Sequence, residues 1–124
     1  MQVYPQSRLI KIDAYSAVAA WGLLGLSIVL FVVAIALKVH IFGAIIGAST
    51  AFMLAALIHL GFALAHKCPH CGKHPTIQGF AKLHPTVPTA TGVDGWARVV
   101  VDVVRRQEFA CMHCGTRFKV ADAA

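Results

Sequence analysis

Four cysteines occur as two matching runs, Cys68-Pro69-His70-Cys71-Gly72 and Cys111-Met112-His113-Cys114-Gly115. With two residues between them, a pair of thiols can be aimed by one tight turn at a single metal ion, and the turn amides can hydrogen-bond the sulfurs. The trailing glycine suits the left-handed backbone position that such a turn needs. A single C-x-x-C is shared with redox dithiols. Two copies with their glycines, both within residues 66–124, make a metal site the stronger reading. His70 and His113 hold the same place in each run and are expected to point outward.

The two runs resemble the paired C-P-x-C-G knuckles of zinc ribbons, over Cys68 to about Val120. The stretch Glu108 to Phe118 is similar to the end of such a ribbon: strand, knuckle and strand with flanking aromatics. The resemblance implies a β-rich domain with a structural metal held by Cys68, Cys71, Cys111 and Cys114. The pairs are 39 residues apart, against a common spacing of about 15–20. An insertion is therefore expected, a loop from Pro75 to Gly95 rich in Pro, Thr and Gly. Four thiolates suit tetrahedral Zn2+ or a mononuclear iron centre. The pairs also look like those of rubredoxins, which are iron electron carriers. That class is acidic and aromatic-rich, whereas residues 66–124 carry eight Lys and Arg against four acids. Zinc is the expected metal and iron the alternative; disulfides are disfavoured in a reducing cytoplasm.

Between the knuckles, Ala97, Val99, Val101 and Val103 alternate with Arg98, Val100, Asp102 and Val104. This period of two in β-branched residues predicts a strand. Arg105-Arg106-Gln107 supplies its turn or charged flank, Phe109 begins the next short strand, and Phe118 and Val120 continue after the second knuckle. A domain this small buries too little apolar surface to hold itself together, so a structural metal would supply the missing stability.

The rest of the chain must position this tail. Of 124 residues, 58% are hydrophobic and 13% charged, with a mean hydropathy of +0.72. That is roughly half the charge of an ordinary globular domain. It excludes general disorder and argues against a lone soluble domain. Ala14–Leu37 holds 24 residues free of Asp, Glu, Lys and Arg, and Val39–Ala65 holds 27 more. Crossing the hydrocarbon core takes about 20, and a single helix over both runs would extend about 80 Å. The chain must therefore turn at Lys38-Val39-His40. The prediction is a transmembrane α-helical hairpin with helices at about 14–37 and 41–65. An N-terminal segment, 1–13, precedes it and a metal-binding domain, 67–124, follows. A signal peptide does not fit, because the first run is too long and a second follows at once.

Arg8 and Lys11 precede the first helix and Lys67 and Lys73 follow the second, while the turn holds Lys38 alone. The positive-inside rule then places both termini in the cytoplasm, and a bacterial inner membrane is the expected location. Asp13 is the expected N-cap of the first helix, with Tyr4 and Tyr15 as interfacial aromatics. Gly43, Gly47, Ala51 and Ala55 form a stripe that lets helix backbones approach closely. Its partner is either the first helix of the same chain or a helix of another one. His40 and His59 lie about 28 Å apart along a helix and cannot share a haem iron. His59 extends the stripe and could hydrogen-bond a partner, and His66 reads as a headgroup-level residue.

No acid pair, phosphate-binding glycine loop or nucleophile arrangement is evident, so enzymatic activity is not expected. The formal net charge of +6 falls to about +4 once four thiolates surround a Zn2+, and the basic residues are dispersed. Nucleic acid is accordingly disfavoured as a partner. The expected role is a small accessory subunit that docks its hairpin, within the lipid bilayer, into a larger membrane protein complex. The tail would cap the cytoplasmic surface, using Trp96, Phe80 and basic residues. The alternatives are a membrane-tethered binding module for protein or nucleic acid and a rubredoxin-like electron carrier; a homo-oligomer through the stripe is left open.

Overall fold

A computed structural model describes residues 1–80, 82–85, 87 and 95–121. In chain order its elements are β1 (Gln2–Val3), α1 (Ser7–Leu37), α2 (Phe42–Ala65), α3 (Trp96–Arg106), β2 (Glu108–Ala110) and β3 (Arg117–Lys119). The expected loop from Pro75 to Gly95 lies partly outside the described residues.

The two uncharged runs form α1, of 31 residues, and α2, of 24, both long and apolar enough to cross a membrane. They turn where the sequence places the break, with Lys38 in the left-handed conformation at φ 52°. Their seam is made of alanines. Ala17 and Ala20 on α1 and Ala48, Ala55 and Ala63 on α2 are buried, and these small side chains let the helices approach closely. The predicted stripe is rotated away from this seam. Ala55 is buried and Ala51 half-buried, but Gly43 and Gly47 are exposed, and no atom lies within 4 Å of a Cβ built at either.

Helix α1 begins at Ser7 rather than Ala14. The uncharged run marks where the surface is apolar, not where the helix starts. In the first turns, Ile10, Asp13, Ala14 and Ala17 are buried at intervals of three and four residues, one face of a helix. That face joins a core with Tyr4, Cys68, Val99, Val100, Val103, Phe109, Cys111, Phe118 and Val120. Asp13 is therefore not an N-cap. It lies two turns inside the helix and is fully buried, and Gln6 occupies the cap position.

The predicted strand over 97–104 is instead helix α3. Val99, Val100 and Val103 are buried and Trp96 and Val104 pack beside them, a spacing of three and four that the valine run satisfies as well as it satisfies a period of two. Arg98 pairs with Asp102 one turn on, at 3.1 Å, and Arg105 and Arg106 sit in the last turn, where cations suit the helix dipole. The sheet is assembled around the other expected strands. β2 and β3 run antiparallel with Phe109 opposite Phe118, and β1 adds parallel to β3 with Gln2 opposite Phe118. The segment before the hairpin thus belongs to the tail's sheet, which sequence alone did not suggest. Tyr4, expected at a membrane interface, is buried instead, edge-on to Phe109 and Phe118 with ring centres 5.2 and 5.4 Å apart.

Candidate metal centre

Each knuckle is built by the same local geometry. The Cys68 amide donates to Lys73 O and the Gly72 amide to Cys68 O, both at 2.9 Å; the Cys111 amide donates to Thr116 O at 2.9 Å and the Gly115 amide to Cys111 O at 2.8 Å. Gly72 and Gly115 take φ of 71° and 75°, the left-handed conformation that glycine adopts without a Cβ clash. The two turns face each other and bring Cys68, Cys71, Cys111 and Cys114 together, with all four sulfurs within 4.8 Å of one another. Across the knuckles Cys68 Sγ lies 3.7 Å from Cys114 Sγ and Cys71 Sγ 3.8 Å from Cys111 Sγ.

These separations can be set against the chemistries open to four thiols. A disulfide needs about 2.05 Å, and all four cysteines are free. A tetrahedron of sulfurs about 2.3 Å from a zinc ion has edges of about 3.8 Å, which the cross-knuckle distances match. The four cysteines could therefore bind a metal ion, and the donor set fits it. As free thiols they are unequal. Burial pushes Cys68 and Cys111 up. At Cys114 burial also pushes up, but hydrogen bonding from the Thr116 side chain and amide and from the thiols of Cys111 and Cys68 outweighs it and brings the group down to about 7. Holding all four as thiolates needs a cation among them.

Behind the sulfurs lies a buried polar cluster centred on Asp13. Its Oδ2 accepts from the Thr76 hydroxyl at 2.6 Å and from His66 Nε2 at 2.8 Å, while Oδ1 pairs with His59 Nδ1. His66 Nδ1 in turn meets the Tyr4 hydroxyl at 3.0 Å, and that hydroxyl donates to Lys67 O at 2.9 Å. His66, expected at headgroup level, is fully buried within the chain. The partner of His59 is on α1 of its own chain. The two knuckle histidines also differ from expectation and from each other. His70 is exposed and reaches Gln2 Oε1 at 2.9 Å, whereas His113 Nε2 turns inward to the carbonyls of His74 and Ile77, at 3.2 and 3.0 Å. Trp96 is held within the chain, its ring 5.5 Å from that of Trp21 and 5.6 Å from that of His59, while Phe80 is fully exposed.

The Asp13 cluster did leave a trace in the sequence. Asp13 is the single acid in residues 1–93, placed just ahead of an uncharged run, and His59 and His66 lie seven residues apart, in the last turns of α2 and at its C-cap.

No protein-family model, curated protein or solved structure matches this chain.

Proposed function

We propose that this chain is a small, non-catalytic accessory subunit of a larger membrane assembly. The hairpin lies in the bilayer and docks laterally on partner helices, and the four-cysteine tail covers the assembly's cytoplasmic face. The observation that carries this reading is the direction of the glycine stripe. Gly43 and Gly47 face away from α1 with open space around them, so the closest helix approach that α2 permits is left for another chain. A tetrahedral shell filled by four protein ligands is the structural rather than the catalytic pattern, which agrees with a role in assembly. Arg8, Lys11, Lys67 and Lys73, against Lys38 alone at the turn, support cytoplasmic placement of the tail, with a bacterial inner membrane as the membrane concerned. Zinc is the metal proposed. A colourless preparation with one equivalent of zinc supports it, and visible thiolate-to-iron absorption would replace it with iron.

Extraction in a mild detergent is expected to return the chain in a large assembly, identified by mass spectrometry of co-purifying proteins. Gly47→Leu is expected to release it from that assembly without unfolding it. Migration of the wild-type chain only as a free monomer or homodimer would overturn the reading.

A further inference from the structure

The Asp13 cluster joins the metal centre to the long helices through contacts that holding a metal does not itself require. Residues 66–77 carry the first knuckle, and they supply both His66 and Thr76 to Asp13 Oδ2. The same stretch is tied to the second knuckle. His74 Nδ1 donates to the His66 carbonyl at 2.9 Å, and the His74 carbonyl accepts from His113 Nε2. On its other side Asp13 takes His59 from α2. Two of the three side chains that satisfy a fully buried carboxylate between α1 and α2 are thus held in place by the cysteine knuckles. A buried carboxylate deprived of such partners is strongly unfavourable until water reaches it.

We propose that the four-cysteine site is a metal-dependent clamp on the helix hairpin. Metal occupancy fixes residues 66–77, these hold Asp13, and Asp13 holds the knuckle-side ends of α1 and α2 together. On loss of the metal the first knuckle relaxes, His66 and Thr76 withdraw, and Asp13 takes up water in their place. The ends of α1 (residues 7–20) and α2 (residues 56–65) then part, while the turn-side halves stay packed around Ala48 and Ala55. Metal availability is in this way converted into helix packing. The clamp concerns one chain and stands apart from the docking role above.

The test uses the full chain in detergent micelles, loaded with one equivalent of zinc or stripped by excess chelator under a thiol reductant, and compares amide hydrogen exchange. Stripping is expected to speed exchange about tenfold at residues 7–20 and 56–65, as well as in the tail, and to leave 22–37 and 42–55 unchanged. Trp21 and Trp96, the two tryptophans of the chain, touch across this junction, and their emission is expected to move to the red. Faster exchange confined to residues 68–120, a uniform increase along both helices, or failure to take up zinc would each overturn the proposal. Because a cysteine variant can simply unfold the tail, the reciprocal arm keeps all four. Coupling between sites is mutual, so Asp13→Asn is expected to weaken zinc binding about tenfold in competition with a chromophoric chelator. Thr76→Val is expected to show a smaller loss of the same sign. Wild-type zinc affinity in both variants would also overturn it.

Discussion

The two ends of the hairpin are made by the same pair of helices and have opposite surfaces. Toward the turn, Phe31, Val32, Ile35, Phe42 and Ile46 are exposed, with Lys38 and His40 at the turn between them. At the other end the helices bury Ile10, Asp13, Ala14 and Ala17 against the cysteine tail. Helix α1 has 31 residues, about 46 Å at the usual rise, whereas a hydrocarbon core is about 30 Å thick. The surplus, roughly ten residues, is close to the length of the stretch from Ser7 to Ala17 that packs into the tail. One helix is therefore long and apolar enough to cross a membrane over one part and still to serve as a core helix of the cysteine tail over the other. Trp21, its ring tilted 50° against that of Trp96, stands where the change occurs.

Substitutions at the two ends should therefore separate cleanly. The largest effect is expected from Cys111→Ser, which removes a ligand of the proposed structural zinc, an ion whose binding is worth about 10–16 kcal/mol in small zinc domains. Elemental analysis should show loss of the metal, and circular dichroism should show the turn-side helices retained. Next, Phe118→Ala empties a fully buried aromatic position and is expected to cost about 3–5 kcal/mol in denaturant titration. Asp13→Ala strands His59 and His66 and should cost about as much. A third comparison places one lysine at each end. Val29 and Ile12 are both exposed on α1; Val29→Lys is expected to lower membrane integration by about 3 kcal/mol, while Ile12→Lys changes it by less than about 0.5 kcal/mol. Equal effects would erase the distinction between the halves. Gly47→Leu should leave the chain's own stability within about 0.5 kcal/mol, since the site is open.

A titration without substitution sharpens the tail's side of the comparison. A thiol brought down to about 7 is half thiolate near neutrality, and Cys114 is the half-buried group in question. In metal-free protein its alkylation should be half-maximal near pH 7 and fall as the pH drops below it. Cys68 and Cys111, pushed upward by burial, should react only at higher pH. Peptide mapping after iodoacetamide treatment reads this directly.

The parts legible from sequence were those governed by strong local patterns. Two uncharged runs broken at Lys38 gave the helices and their turn, and repeated knuckle spacing brought the four cysteines into one cluster. The misread parts depended on what the chain packs against. Trp96–Arg106 fits both a period of two and a helix because its valines occupy consecutive positions, and packing against α1 and β2 goes with the helix. Asp13 has the composition of a cap and became a buried acceptor because two histidines arrive from residues 46 and 53 positions away. β1 is a two-residue strand, too short to carry any periodicity. The open glycine face shows the same limit, since a four-residue repeat states that a smooth row exists and not which neighbour it meets.

The pairing of Gln2 with Phe118 also sets an order of events during biogenesis. The sheet cannot close until residues 117–119 have been synthesised, by which time the whole hairpin has been made. The Tyr4 ring and the core around it must wait with it. Long-range closure of this kind is slow compared with helix formation, so the early chain carries an uncovered N-terminal segment. Maturation should then show two phases: prompt helix formation, followed by delayed acquisition of protease resistance in residues 1–13.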